Sequence, residues 1–234
     1  MKAAKGAVMP DPVSVSPFSR LGIVVGMEAE AALIRPFLPQ ARFGLSGATL
    51  SGARQAVLDL LEGGVDALLS FGLAAGLDPA LAPGAVVMPA HVVVNGERLA
   101  TSPALLDWLG AGRADVLGGD LLHSDVIVTE ATRKAELFRQ TGCVALDMES
   151  GVVAEMAAAR RVPFAVMRVV CDPADRTLPP AAVVALRPDG SLAVGALARS
   201  ILCNPLQIPA LIRVGRDAGE ARGAARAVLA RRFG

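Results

Sequence analysis

The chain has 234 residues, enough for one large α/β domain with a substantial core, and 23 basic against 22 acidic side chains give it a net charge of +1. That balance excludes the basic footprint of a nucleic-acid-binding protein, and 3% aromatic residues with no tyrosine exclude a base-stacking platform. The three cysteines, Cys143, Cys171 and Cys203, have no ligand spacing and only two histidines accompany them, so no metal site is expected and a reduced, cytoplasmic setting fits.

Hydrophobic residues make up 53% of the chain, yet charges, prolines and glycines interrupt every run well short of the roughly 18 apolar residues of a membrane span. Residues 1–19 contain Lys2, Lys5 and several prolines but no continuous apolar stretch, and read as a flexible leader rather than a signal peptide. Residues 20–234 show no repeat and no linker, and read as a single domain.

Leu21 to Gly26 is a short β-branched run closed by a glycine, as in a buried strand. Met27 to Leu38 has helical spacing, with Glu28 and Glu30 in its first turn where they suit the helix dipole. Phe43 to Leu50 reads as a glycine-rich turn whose amides can approach a ligand, and Gly52 to Glu62 as the next helix. Val65 to Phe71 is a second strand, running into a loop of small residues from Gly72 to Leu77. Ala85 to Val94 reads as an extended pair broken at Pro89, and Ala104 to Leu109 as a short helix. His123 to Val128 is another short apolar run, ahead of a charged helix from Glu130 to Gln140.

The stretch from Cys143 to Asp175 organises the rest. The run from Cys143 to Leu146 leads into Asp147, Met148, Glu149 and a helical segment; the run from Pro163 to Cys171 carries Arg168 and ends on Asp172. Two carboxylate clusters thus follow two strands, where ligands of open α/β sheets bind. Arg168 and Asp172, four apart, share a face of a regular strand and can pair. Each group also has a plain structural reading: an ion pair at a strand end for Arg168 and Asp172, helix caps for Asp147 and Glu149, a first-turn acid for Glu30. Pro173, Pro179, Pro180 and Pro188 mark a loop or lid, followed by helices at Leu192 to Ile201, Leu206 to Val214 and Ala218 to Arg232. Strands alternating with helices predict a three-layer α/β/α domain around a mixed sheet.

The segments GIVVGMEAE, SFGLAAGLDPALAPGAVV and VALDMESGVVAEMAAARRVPFAVMRVVCDPAD resemble, in this order, the purine nucleoside phosphorylase and nucleosidase superfamily. The Met-Glu and the Arg-x-x-x-Asp are the most specific matches. Within it the chain is similar to methylthioadenosine/S-adenosylhomocysteine nucleosidases, and more similar over its length to hopanoid-associated phosphorylases, which are implied to release adenine from adenosylhopane in hopanoid lipid biosynthesis. The resemblance implies a glycosyltransferase or hydrolase acting on an adenine nucleoside, without a cofactor and with inorganic phosphate or water as nucleophile. It assigns Asp172 as the acid that protonates the departing base, Arg168 as its orienting partner, and Glu30 as the acid that activates water. Glu149 is assigned to the ribose hydroxyls, Met148 to the sugar face, and Ile127 and Val128 to the base, although nucleosidases place an aromatic residue in that region. Desolvation at the end of an apolar strand would favour the protonated form of Asp172.

Ser46, Gly47 and Gly72 are the expected site for phosphate or water, but Ser70 and Leu73 stand where phosphorylases use an arginine and a serine. The expected partners are a small nucleoside, lipid-linked, and a second copy of the chain in a homodimer or higher homo-oligomer. No nucleic acid is expected, and contact with the inner membrane surface would be transient. Two rivals remain at this level: a methylthioadenosine/S-adenosylhomocysteine nucleosidase, and a non-catalytic nucleoside-binding protein. A dinucleotide-binding dehydrogenase is disfavoured, because no G-x-G-x-x-G follows the first strand.

Overall fold

The computed structural model describes residues 17–184 and 194–234. The leader expected at residues 1–19 lies outside the described residues as far as residue 16, and the expected lid does so from residue 185 onward. Three strands carry the architecture. β1 (Leu21–Val25), β3 (Ala67–Gly76) and β10 (Phe164–Asp172) are aliphatic runs buried at nearly every position, as interior strands covered on both faces must be.

β10 pairs in parallel with β3 from Leu68 to Ala75 and so occupies one whole edge of it. The other edge of β3 is divided. β1 covers Ala67 to Ser70 in parallel, while β9 (Ala145–Asp147) covers Ala75 and Gly76 antiparallel. Phe71 to Ala74 are therefore left without a strand partner on that edge, just beyond the carboxyl end of β1. The site is built over this gap. Outside the centre, β2 (Arg42–Leu45) lies beside β1; β4 (Val86–Val87) and β7 (Val116–Leu117) extend the sheet past β10; β8 (Asp120–His123), β5 (His91–Val94) and β6 (Glu97–Ala100) extend it past β9. Antiparallel pairs β3–β9, β4–β10 and β5–β6 make the sheet mixed.

Two helical layers cover the sheet. On one face α1 (Glu28–Ile34), α3 (Pro103–Leu109) and α8 (Ile208–Phe233) bury Ile34, Leu105, Leu109, Val228 and Leu229 against Ile23, Leu69, Phe71 and Met167. On the other, α2 (Leu50–Glu62) and α5 (Ser150–Arg160) bury Val57, Leu60, Val153 and Ala157 against Val24, Leu68, Val166 and Val170. α4 (Ala131–Thr141) closes a smaller cluster with Leu77, Cys143 and Leu146. α6 (Pro180–Val184) and α7 (Val194–Cys203) precede α8. The fold is the three-layer α/β/α arrangement around a mixed sheet that the alternation predicts.

Several local expectations need correction. The small-residue segment from Gly72 to Gly76 is strand, not loop: its pairing with β10 outweighs the weak strand propensity of glycine and alanine. The first part of the expected glycine-rich turn, Phe43 to Leu45, belongs to the edge strand β2, where Gly44 admits the close approach of Ala56. The strand near His123 ends rather than begins there, because Ser124 leaves the sheet by bonding to Asp147 O and Val126 O. The first helix stops at Ile34, ahead of Pro36. The two helices expected after Leu206 form one α8, whose buried Ala221, Ala225 and Val228 stripe packs against the sheet; Gly215 and Gly219 cost only about 1 kcal/mol each.

Candidate active site

Glu30 closes the gap beside β3. It sits in the first turn of α1, and its position with Leu33 and Ile34 on the buried stripe turns its carboxylate inward. Oε2 accepts from the amides of Gly26 at 2.8 Å and Met27 at 3.1 Å, while Oε1 accepts from Leu73 N at 2.9 Å. The Leu73 amide is one that β1 and β9 leave unpaired, so a side chain completes what the sheet does not. Oε1, with one donor, keeps a lone pair for a ligand or water.

Arg168, in the middle of β10, is fully buried and gathers the acids that follow β9. Its guanidinium is 2.6 Å from Asp147 Oδ2 and 3.3 Å from Glu149 Oε2, and donates to Ser70 Oγ at 2.7 Å and Ser150 Oγ at 3.2 Å. Asp147 also accepts from Ser150 N at 3.2 Å, capping α5, so it both caps the helix and neutralises Arg168. Gly72 makes this arrangement sterically possible: a Cβ there would stand 2.3 Å from Arg168 Nη1 and 2.7 Å from Glu30 Oε1. Gly26 plays the same part between acids, since its Cβ would be 3.0 Å from Glu30 Oε2 and 3.3 Å from Glu149 Oε1. Burial, aided by the charges of Asp147 and Glu30, outweighs Arg168 and pushes the Glu149 carboxyl up to about 7.

The expected pairing of Arg168 with Asp172 is absent. A register shift between Val170 and Asp172 sets Asp172 opposite Ala75 instead of Gly76, and this bulge breaks the alternation that would have kept Asp172 on the face of Arg168. Asp172 pairs instead with Lys134 of α4, Nζ to Oδ2 at 2.7 Å. Burial raises the Asp172 pKa above the usual carboxylate value, although Lys134 pulls it back.

Two connected cavities meet at these groups. One, of about 350 Å³, is lined by Ala74, Ala75, Ile127, Val128, Met148 and Leu178, with Asp172 and Glu149 at its polar end. The expected base-binding and sugar-binding residues therefore share a wall with both acids. The other, of about 680 Å³, shares Leu73, Glu149, Cys171 and Asp172, takes in Glu30, and runs on as an apolar groove along Ala182, Ile208, Leu211, Ile212, Val214 and Ala218. Cys171, at the junction, has its thiol pushed up to about 12 by burial and by the neighbouring Asp172 and Glu30, and stays neutral.

Ser46, Gly47 and Gly72 line neither cavity. Ser46 is buried; the Ala48 amide beside it is taken by Gly26 O at 3.2 Å and Ser46 Oγ at 3.1 Å; Gly72 gives its space to Arg168 and Glu30. The next residues of the same turn do reach the cavities, Ala48 lining both and Thr49 the smaller one. Among the described residues no three His, Cys, Asp or Glu side chains are grouped as a metal site. No described helix is long and apolar enough to cross a membrane.

Sequence reasoning missed Lys134 and Ser150, and noted Ser70 only as a departure from the phosphorylases, not as a partner of Arg168. The signal for Lys134 was present, since Lys134, Leu137, Phe138 and Thr141 fall at i, i+3, i+4 and i+7, and a lysine on the inward stripe of an amphipathic helix needs a buried partner. The two serines carry no signal apart from the guanidinium they serve.

The family model described as the phosphorylase superfamily matches residues 35–203. The fold is similar to that of 5′-methylthioadenosine/S-adenosylhomocysteine nucleosidase from Neisseria meningitidis in complex with methylthio-immucillin-A, at a TM-score of 0.64 and 18% identity over 91% of this chain and 98% of that one. It is also similar to the Colwellia psychrerythraea nucleosidase in complex with adenine, at 0.59 and 18% over 78% and 94%, and to futalosine hydrolase of Helicobacter pylori, at 0.59 and 16% over 78% and 97%. No curated protein sequence matches the chain. A family model spanning most of the sequence, on a fold shared nearly end to end, places the chain in the phosphorylase superfamily.

Proposed function

We propose that the protein hydrolyses the N-glycosidic bond of an adenine nucleoside whose 5′ position carries a large apolar group, adenosylhopane being the substrate that the sequence resemblance names. The observation that carries this reading is the convergence of Glu30, Glu149 and Asp172 on one cavity that continues into an apolar groove. Asp172 donates its proton to the adenine ring, so the base leaves neutral rather than as an anion. Glu149, in the ionised form it takes above about pH 7, accepts hydrogen bonds from ribose hydroxyls, and this hold tightens as the ring takes on oxocarbenium character. Glu30, held by three backbone amides, takes a proton from water on the opposite side of the sugar. Ile127, Val128 and Met148 enclose base and sugar without stacking.

Water is preferred to phosphate as nucleophile on electrostatic grounds. Arg168 is committed to Asp147 and Glu149, and among the described residues the only cation lining the two cavities is Arg222, exposed on α8. A phosphate dianion beside Glu30 and Glu149 would meet repulsion that the solvent-exposed Arg222 offsets only weakly. Running the reaction with and without phosphate tests this point: free sugar in both supports hydrolysis, and sugar 1-phosphate appearing only with phosphate overturns it.

The groove favours the lipid over the small thioether. Burying an apolar 5′ group gains about 25 cal/mol per Å², which a methylthio group exploits over little area. A methylthioadenosine/S-adenosylhomocysteine nucleosidase would keep every polar role and leave the α8 wall unused. Following adenine release from adenosylhopane and from methylthioadenosine separates the two, and efficient turnover of methylthioadenosine alone would sink the lipid assignment.

A further inference from the structure

Lys134 is wholly buried, and each of its three N–H donors has an acceptor: Asp172 Oδ2 at 2.7 Å, Pro173 O at 3.1 Å and Arg176 O at 2.9 Å. Such a pair is weak evidence of stabilisation, since a well-packed apolar side chain on this helix stripe would do as well. Its geometry is specific in another way. Oδ2 of Asp172 is taken, while Oδ1 has no protein partner among the described residues, and Asp172 borders both cavities.

We propose that Lys134 is the positioning residue of the site: its ammonium locks one oxygen of Asp172, leaves the other to face the ligand, and stabilises the carboxylate that forms as the proton leaves. This rests on the reading of Asp172 as the acid. In that step the Oδ1–H bond breaks and an N–H bond forms on adenine. The O–H electron pair stays on the carboxylate, and Lys134 keeps all three protons throughout. The stabilisation grows with the developing charge, so it acts on the transition state more than on the ground state.

The other charged or titratable groups near Asp172 are Glu30 and Glu149 on the shared cavity, Asp175 and Arg176 on the loop after β10, Cys171 on β10, and Arg213 and Asp217 on α8. Arg176 is tied to Asp217, Asp175 has the wrong sign, and the Cys171 thiol is neutral. Removing the lysine charge therefore takes away the largest influence opposing burial of Asp172 and leaves Arg176, itself tied to Asp217, as the weaker one.

The test is a titration of the Asp172 13Cγ resonance in the free protein, together with the pH profile of adenine release from adenosylhopane, for wild type, Lys134→Met and Lys134→Arg. Lys134→Met should move the Asp172 midpoint, and the alkaline limb of activity, up by about one pH unit or more, and lower the plateau about tenfold. Lys134→Arg should leave the midpoint near wild type. If Lys134→Met fails to fold, Lys134→Gln, which loses the charge but keeps two donors, carries the same test. A midpoint that does not move while the plateau falls makes Lys134 merely structural and overturns the proposal. Wild-type adenine release by Asp172→Asn would instead remove the acid role itself, so the two failures are distinguishable.

Discussion

Replacing Gly72 with alanine should damage both folding and activity, although the methyl group is small and the residue lies in a regular strand. Gly72 does not have a left-handed φ, so the backbone accepts alanine without strain and the effect is purely steric. The new Cβ would lie 2.3 Å from Arg168 Nη1 and 2.7 Å from Glu30 Oε1. Neither group can step aside freely. Arg168 is held at 2.6 Å by Asp147 and at 2.7 Å by Ser70, and Glu30 is held by the amides of Gly26, Met27 and Leu73. Moving the guanidinium by an ångström weakens charged hydrogen bonds worth about 1.5–3 kcal/mol each, and a displaced buried ion leaves its partners uncompensated. The net cost should be about 3–5 kcal/mol, read as a lower urea midpoint, with adenine release at least about tenfold slower because Glu30 shifts. Gly118→Ala, whose Cβ meets nothing within 4 Å, is the control. If Gly72→Ala unfolds at the same urea concentration as Gly118→Ala and turns over normally, the crowding argument is wrong.

Other perturbations probe the site's separate parts. Asp172→Asn should abolish adenine release while an adenine nucleoside analogue still binds, as isothermal titration would show; retained turnover removes Asp172 from the acid role. Glu149 carries a folded-state pKa raised from 4.5 to about 7, so the folded chain holds the extra proton, and stability from this group is present below 4.5 and lost as pH rises through 7. At 1.36 kcal/mol per unit that loss is on the order of 3 kcal/mol, and Glu149→Gln should flatten the corresponding part of a stability–pH curve; an unchanged slope refutes it. Ala218→Trp should fill the groove along α8, raising KM for adenosylhopane while sparing a nucleoside with a small 5′ group, and equal effects on both would show that the groove holds no substituent.

The sheet's interior strands were legible because their runs are short, aliphatic and bounded by glycine or acid, and the two acidic clusters did mark strand ends. What sequence could not convey was register. The i, i+4 spacing of Arg168 and Asp172 implies a shared face only on a regular strand. Because FAVMRVVC is apolar on both faces, no alternation reveals the bulge before Asp172. The partner of Asp172 came from α4, whose stripe of Lys134, Leu137 and Phe138 did carry a readable anomaly. Gly72 was read as loop chemistry inviting a ligand, whereas it makes room for two protein side chains. Such long-range crowding has no local signature in the chain.

The most direct test of the central claim is the reaction in 18O-labelled water with phosphate present, adenosylhopane as substrate, and mass spectrometry of the sugar product. The account predicts free adenine and a hopane-linked ribose carrying one atom of 18O at the anomeric position. An unlabelled sugar 1-phosphate, or no adenine at all, would contradict it.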